Sequence, residues 1–344
     1  MTSGNPAPPA PDPAVVDELI QAFRRSKTMF AAVSLGVFEA LEPGGLSAAE
    51  LAERLGTHPG ALERLLEACV ALRLLNRAQG LYHNTPAASA YLRPSSPRQL
   101  TGYIKYSNDV LWKMWEKLED AVREGTHRWP QVYGWDGPIF SSFFRTPEAM
   151  REFLMGMHGQ GLLSSPQVVA AFDLGRFRRL VDLGGATGHL AVAACGRHPG
   201  LTAVVFDLPQ ALTVAREYLE HEKMTDRIAT RAGDFFSDPL PEGDLFALGR
   251  IVHDWSEPKV LTLLGRVFER LPSGGGLLIA EKLLEPDRSG PVWPSMQDLG
   301  MLLYTEGRER TLDQYRELLT RVGFTQLQAR TTPTPLDAML ALKP

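Results

Sequence analysis

His253, in the segment His253-Asp-Trp255 that follows a long apolar run, is the side chain of this sequence best placed to move a proton near neutral pH. Two carboxylates are candidates to hold its second ring nitrogen. Glu281 ends the apolar run Leu277-Leu-Ile-Ala-Glu281, and Glu309 lies in Arg308-Glu-Arg-Thr311. A carboxylate in that position fixes the tautomer and stabilises the imidazolium once a proton has been taken. Asp254, the next residue, could fix the loop or reach the molecule on which the histidine acts. A second group of residues suits a nucleotide. The run from Arg178 ends in Asp182 and a glycine turn, Asp182-Leu-Gly-Gly-Ala-Thr-Gly188, which contains Gly184 and Gly185. Roughly twenty residues later Thr202–Asp207 ends in another acid, where a carboxylate accepts hydrogen bonds from ribose hydroxyls. Gly233-Asp234-Phe235-Phe236 pairs a third acid with an aromatic ring able to flank an adenine.

These residues need a parallel sheet to bring them together. From Phe177 onward, short apolar runs alternate with helical segments, which predicts an α/β domain. Strands are expected at Arg179–Leu183, Ala203–Asp207, Arg227–Arg231, Asp244–Val252, Gly276–Leu283, Gln326–Thr331 and Ala338–Leu342. In such sheets the ligand lies outside the C-terminal ends of the strands, where Asp182, Asp207 and His253 fall. Only one strand precedes His253 after Asp234, too little for a second nucleotide half. An adenosine cofactor with its reactive end near His253 therefore fits better than a dinucleotide, and a dehydrogenase reading falls away.

The first third of the chain is helical in pattern. Val15–Arg25 and Thr28–Ala40 read as two helices, and Ser47 with Glu50 forms a capping box before a helix closed by Gly56. Pro59–Leu75 reads as a longer amphipathic helix, followed by a hairpin that turns at Gly80. Three helices and a hairpin make a winged-helix shape, yet Arg64 and Arg73 are balanced by Glu63 and Glu67. A net charge of −4 likewise offers nucleic acid or an anionic membrane no general attraction. Packing or dimerisation is the reading for this region. The expected organisation is a disordered tail over 1–12, a winged-helix-like dimerisation domain over 13–100, a helical linker over 101–172 and a catalytic domain over 173–344. Within the linker, 129–144 reads as a Gly/Pro/aromatic loop and Pro147–Ala171 as a helix. No run of about eighteen apolar residues suggests a membrane span, and no signal sequence is evident, so the expected location is cytoplasmic. Cys69 and Cys195 lie in apolar helical patterns and read as buried thiols. The spacing of the other histidines matches no metal motif.

The motifs Asp182–Gly188, Phe206-Asp-Leu-Pro209, Gly233–Phe236, His253–Trp255 and Thr305-Glu-Gly-Arg-Glu-Arg-Thr311 resemble, in this order, those of the S-adenosylmethionine-dependent O-methyltransferase family. That family includes caffeic-acid-type and acetylserotonin-type enzymes, and the resemblance runs from Thr28 to Leu342. It implies a Rossmann-like class I methyltransferase domain behind an N-terminal winged-helix dimerisation domain, hence a homodimer. It also implies S-adenosyl-L-methionine as cofactor, S-adenosyl-L-homocysteine as product, and no metal. By resemblance Gly184 and Asp207 hold the amino-acid end and ribose, Asp234 and Phe235 the adenine, and Arg250 the cofactor's edge. Asp182, Gly185, Leu208 and Gly233 complete that set. His253 becomes the general base for a small hydroxylated, aromatic acceptor, with Glu281 and Glu309 beside it. A phenol titrates near pH 10, so a base must assist it at neutral pH. Ala186 stands where a third glycine is usual, and Phe144 where the acetylserotonin branch has a tyrosine.

The acceptor pocket is expected among Tyr106, Phe140, Phe153, Met157, His158, Gly300, Met301 and Tyr304, although such aromatic and Met residues also serve as core. Here the resemblance thins. Gly300 replaces an asparagine, Tyr304 a glutamine and Gly161 a tryptophan, so the relatives' acceptor does not transfer. Two alternatives stay open: transfer to sulfur or nitrogen on the same fold, and a catalytically silent member acting as a binding module.

Overall fold

The computed structural model describes residues 11–344, apart from the Phe140 side chain, so most of the expected tail lies outside the described residues. The chain divides into two compact units, with the boundary in the sequence between Thr101 and Gly102. In the first, α1 (Ala14–Ser34), α2 (Val37–Ala40), α3 (Ala48–Leu55) and α4 (Pro59–Ala71) precede a hairpin of β1 (Leu75–Ala78) and β2 (Leu81–Asn84), then α5 (Pro86–Tyr91). The capping box at Ser47 and the left-handed Gly56 are both present. The hairpin turns on Gln79 and Gly80, both at positive φ. Such a turn matches the twist of paired strands.

One boundary differs from expectation. The break expected between Arg25 and Thr28 is absent, and α1 runs on to Ser34. Nothing from Arg25 to Thr28 costs a helix much, whereas Gly36 at φ +79° turns the chain sharply. Val15, Leu19, Ile20 and Phe23 stand exposed along α1.

The second unit begins with a helical stretch. It comprises α6 (Thr101–Tyr106), a wide turn over Ser107–Leu111, α7 (Trp112–Trp115), α8 (Leu118–Glu124) and α9 (Trp129–Tyr133). The segment expected as loop over 129–144 is instead α9 and a 3-10 turn, Ile139–Phe144. Pro130 at the start of α9 and Gly134 at its end supply the punctuation, while Trp129, fully buried, anchors its indole N–H on the Tyr304 carbonyl at 2.9 Å. The long α10 (Pro147–Ala170) follows.

The sheet then builds in order: β3 (Arg179–Leu183), α11 (His189–Arg197), β4 (Thr202–Asp207), α12 (Ala211–His221), β5 (Ile228–Ala232), β6 (Leu245–Gly249), α13 (Glu257–Arg270) and β7 (Gly276–Glu281). After α14 (Val292–Tyr304) and α15 (Leu312–Val322), β8 (Thr325–Arg330) and β9 (Asp337–Leu342) complete it. The spatial order is β5-β4-β3-β6-β7-β9-β8, with β9 antiparallel to both neighbours and the rest parallel. Alternate residues of each central strand enter opposite cores. Leu180, Val205, Ala247 and Leu278 pack under α10, α11 and α12, whereas Val181, Phe206, Phe246 and Leu277 pack under α13 and α15. Burial on both faces is why these strands read as continuous apolar runs.

The order reverses between β3 and β6, which opens the crevice at their C-terminal ends. There β6 stops earlier than expected. Arg250 at φ +55° turns the chain out of the sheet, and Val252–Asp254 form a single 3-10 turn that carries His253. No described helix is long and apolar enough to cross a membrane.

Candidate active site

A cavity of 360 Å³ lies at this crevice, a size typical of small-molecule sites. One end is formed by the loop after β3 and by the ends of β4 and β5. Gly184 has φ +65°, and a Cβ there would lie 2.4 Å from Ile251 Cδ1. A Cβ on Gly185 would lie 2.8 Å from the Asp182 carboxylate. Asp207 closes β4, and its two oxygens accept the backbone N–H groups of Ala186 (2.8 Å) and Leu208 (2.7 Å). Ala186 sits at φ +49°, left-handed, the conformation that makes glycine usual there. Burial, with the charge of Asp207, pushes Asp182 up to about 7, and burial pushes Asp207 up to about 6. Such shifts mark carboxylates held away from water where a polar ligand would relieve them. Asp182 Oδ2 is buried without a hydrogen-bond partner, as are Arg250 Nε and Nη2. Phe235, Phe236 and Trp255 stack edge-to-face at 4.8–6.2 Å along one wall.

The other end is aromatic. Phe143 and Phe153 lie 4.5 Å apart, and Tyr106 meets Phe153 edge-on at 5.7 Å. Met157, Met301 and Tyr304 also line the cavity. Two of the expected pocket residues do not. His158 is buried with Nδ1 2.9 Å from Thr187 Oγ1 and its ring 4.6 Å from Tyr218, because its position on α10 faces the glycine loop. Gly300 is covered by its neighbour one turn on: a Cβ there would lie 1.9 Å from the Tyr304 hydroxyl, so glycine is what lets this ring fold back. The Phe140 side chain lies outside the described residues. Tyr103, one of the aromatic residues able to wall a flat acceptor, lines the cavity, as do Gln297 and His189, which the sequence did not mark for it. For His189 the signal was its place directly after Gly188.

His253 stands between the two ends, 4% exposed, with Asp254 lining the cavity beside it. Its Nδ1 lies 2.7 Å from Glu309 Oε1 and 3.2 Å from Glu281 Oε2. Glu281 cannot swing away, because its Oε1 accepts the backbone N–H groups of Ile251 and Val252, both at 2.9 Å. Glu309 is positioned from two sides. Its own N–H donates to Asp298 at 2.8 Å, and the buried Arg310 donates to the Val252 carbonyl at 3.0 Å. Gly307 lets this loop press against the histidine, since a Cβ there would lie 2.0 Å from the His253 carbonyl oxygen. Both glutamates sit behind the imidazole, away from the cavity. Among the described residues, Asp254 Oδ1 is the one ion-pair neighbour of Nε2, at 3.7 Å, too far for a hydrogen bond.

Burial alone would lower the basicity of His253, but the charges of Glu281, Glu309 and Asp254 overcome it and push the imidazole up to about 10. Burial also raises Glu281 to about 7 and Asp254 to about 6. The same His253, Glu281 and Glu309 bring one donor atom each within 4.8 Å, a spacing that could hold a cation. With protons on both ring nitrogens the imidazolium itself supplies positive charge beside this pair of carboxylates.

Similarity to known proteins agrees with this arrangement. The profile of the O-methyltransferase domain matches residues 115–325, and that of the O-methyltransferase dimerisation domain matches residues 17–94. The chain belongs to the O-methyltransferase family. Acetylserotonin O-methyltransferase of Gallus gallus is 40% identical over 338 residues, covering 96% of this chain and 97% of that protein. Human N-acetylserotonin methyltransferase, solved in complex with SAM, superposes with a TM-score of 0.91 at 35% identity, covering 100% of this chain and 99% of that one. PigF with SAH gives a TM-score of 0.86 at 27% identity, covering 97% and 100%. The fold is that of class I methyltransferases with a mostly helical dimerisation domain, and the activity is S-adenosylmethionine-dependent O-methyl transfer. The residues present fit this cofactor: a glycine cradle without room for side chains, an acid at the end of β4, an aromatic wall and a buried guanidinium with unpaired N–H groups.

Proposed function

We propose that the enzyme methylates a hydroxyl on a small, flat aromatic acceptor, with His253 as general base. The observation that carries this reading is the buried imidazole with two carboxylates on Nδ1 and a free Nε2 toward an aromatic-walled cavity. Gly184, Gly185 and Asp182 border the cofactor's amino-acid end, Asp207 with Leu208 its ribose, and Gly233, Asp234 and Phe235 its adenine, with Arg250 at its edge. S-adenosylmethionine supplies an electrophilic methyl group. The protein's part is to align the acceptor, exclude water and take the proton.

The strength of the base is suited to that task. An unperturbed imidazole near 6.5 would take a proton from a phenol near 10 about 3.5 units uphill, or about 4.8 kcal/mol. With His253 raised to about 10, the transfer is close to balanced. A phenolate beside the imidazolium and a phenol beside the neutral imidazole are then two arrangements of one proton, and Glu281 and Glu309 stabilise the positive ring in the first. A thiol, already acidic, would have little need of so basic a partner, which favours oxygen over sulfur.

The second part of the proposal is assembly. The helical linker, residues 101–172, supplies much of the acceptor wall through Tyr106, Phe153 and Met157, and the protein works as a homodimer. The dimerisation-domain match and the exposed apolar residues of α1 support this. The relatives' acceptor is not carried over to this chain, where Tyr304 folded over Gly300 shapes that end of the cavity, so acetylserotonin itself is not assigned. A panel of phenols, hydroxyindoles and thiols, read by S-adenosylhomocysteine release, tests the class. Turnover confined to thiols, or no turnover with a cofactor that binds, would overturn it.

A further inference from the structure

We infer that His189 is a further cofactor-binding residue, donating a hydrogen bond from Nε2 to the carboxylate at the amino-acid end of S-adenosylmethionine. This rests on reading the cavity as the cofactor site. His189 is the first residue of α11, directly after the glycine loop, and it lines the cavity with Gly184, Gly185 and Ala186. Its ring lies against the backbone of α10. A Cβ on Gly161 would lie 2.3–2.4 Å from three imidazole atoms, so Gly161 is the seat that admits this ring.

One turn along the same helix, Ser165 Oγ lies 2.8 Å from His189 Nδ1. Ser165 is 3% exposed, and this is the one side-chain partner its hydroxyl shows. If the hydroxyl donates, its proton is satisfied and Nδ1 is the acceptor, which places the ring proton on Nε2. Nε2 has no partner among the described residues. Burial, with His158 and Arg250 nearby, pushes His189 down to about 3, so the ring is neutral at working pH. A neutral imidazole with its proton on Nε2 can only donate there, and a carboxylate can only accept. The N-terminus of α11 and the unpaired Arg250 N–H groups favour the same sign of charge.

Calorimetric titration separates the amino-acid end from the rest of the cofactor. S-adenosylhomocysteine carries that end, and 5′-methylthioadenosine lacks it. His189→Ala should weaken S-adenosylhomocysteine about 10-fold, the size expected for a hydrogen bond to a charged group, and leave methylthioadenosine within about twofold. Ser165→Ala, which frees the tautomer, should give a smaller loss confined to S-adenosylhomocysteine. It also serves if His189→Ala does not fold, as judged by thermal melting. Equal losses for both ligands, or unchanged S-adenosylhomocysteine binding in both variants, would overturn the assignment. Failure of the unaltered protein to bind S-adenosylhomocysteine would instead overturn the cofactor site as a whole.

Discussion

At the residue scale, the electrostatics around His253 decide the pH dependence. A base must be neutral to accept a proton, and here its pKa is raised by burial-resistant attraction to three carboxylates. Activity on a phenol should therefore climb with pH through the neutral range toward about 10. Glu309→Gln removes one negative charge 2.7 Å from Nδ1. The imidazole pKa falls, so the rising limb of kcat/KM should move to lower pH. Its plateau should fall about 10-fold, because the imidazolium is less stabilised. A limb that stays in place, in a pH–rate profile on one acceptor, would show that Glu309 does not act on the histidine. His253 and the two glutamates stood out in the sequence by type and by their places at the ends of apolar runs. Their shared contact with Nδ1 came from resemblance, since nothing in the spacing brings residues 253, 281 and 309 to one atom.

At the element scale, two glycines carry more information than their neighbours. Gly307 presses the loop bearing Glu309 onto the carbonyl of His253. In Gly307→Ala the added methyl group must push the loop away. The expected result is a kcat lower by about 10-fold or more, as misplacement by a fraction of an ångström costs catalysis. S-adenosylhomocysteine affinity, measured by calorimetry, should change less than about twofold. Gly300 lies under the Tyr304 ring, so Gly300→Asn should displace that ring and raise KM for the preferred acceptor far more than KM for the cofactor. Equal rises in both would place the ring outside the acceptor site. Neither role was legible in the sequence, because which glycine faces which backbone depends on how the elements meet. What periodicity did reveal was the core of β3, β4, β6 and β7, whose strands are apolar on both faces. The aromatic stretch after Arg128 misled for the opposite reason: its Gly and Pro residues are helix punctuation here, which a one-dimensional reading takes for loop.

At the scale of the whole molecule, a dimerisation domain precedes a methyltransferase domain. Val15, Leu19, Ile20 and Phe23 form an apolar face on α1 that a lone chain leaves in water. Light scattering at micromolar concentration should give a mass of two chains, and a double change Leu19→Glu, Ile20→Glu should shift it toward one. A monomer in the unaltered protein would contradict the dimer. Domain order and cofactor were readable at this scale because they depend on motifs repeated across a family. The acceptor was not, because it depends on how side chains such as Tyr304, folded over Gly300, pack at the aromatic end of the cavity, which no motif encodes.

The most direct test of the central claim follows His253→Ala across acceptors of graded acidity. If His253 takes the proton, the variant should lose about 100-fold or more in kcat on a phenol of pKa about 10. The loss should shrink to about 10-fold or less on a nitrophenol of pKa about 7, which ionises without help. S-adenosylhomocysteine binding should be retained throughout. A loss that is the same for both phenols, or no loss for either, would contradict general-base catalysis by His253.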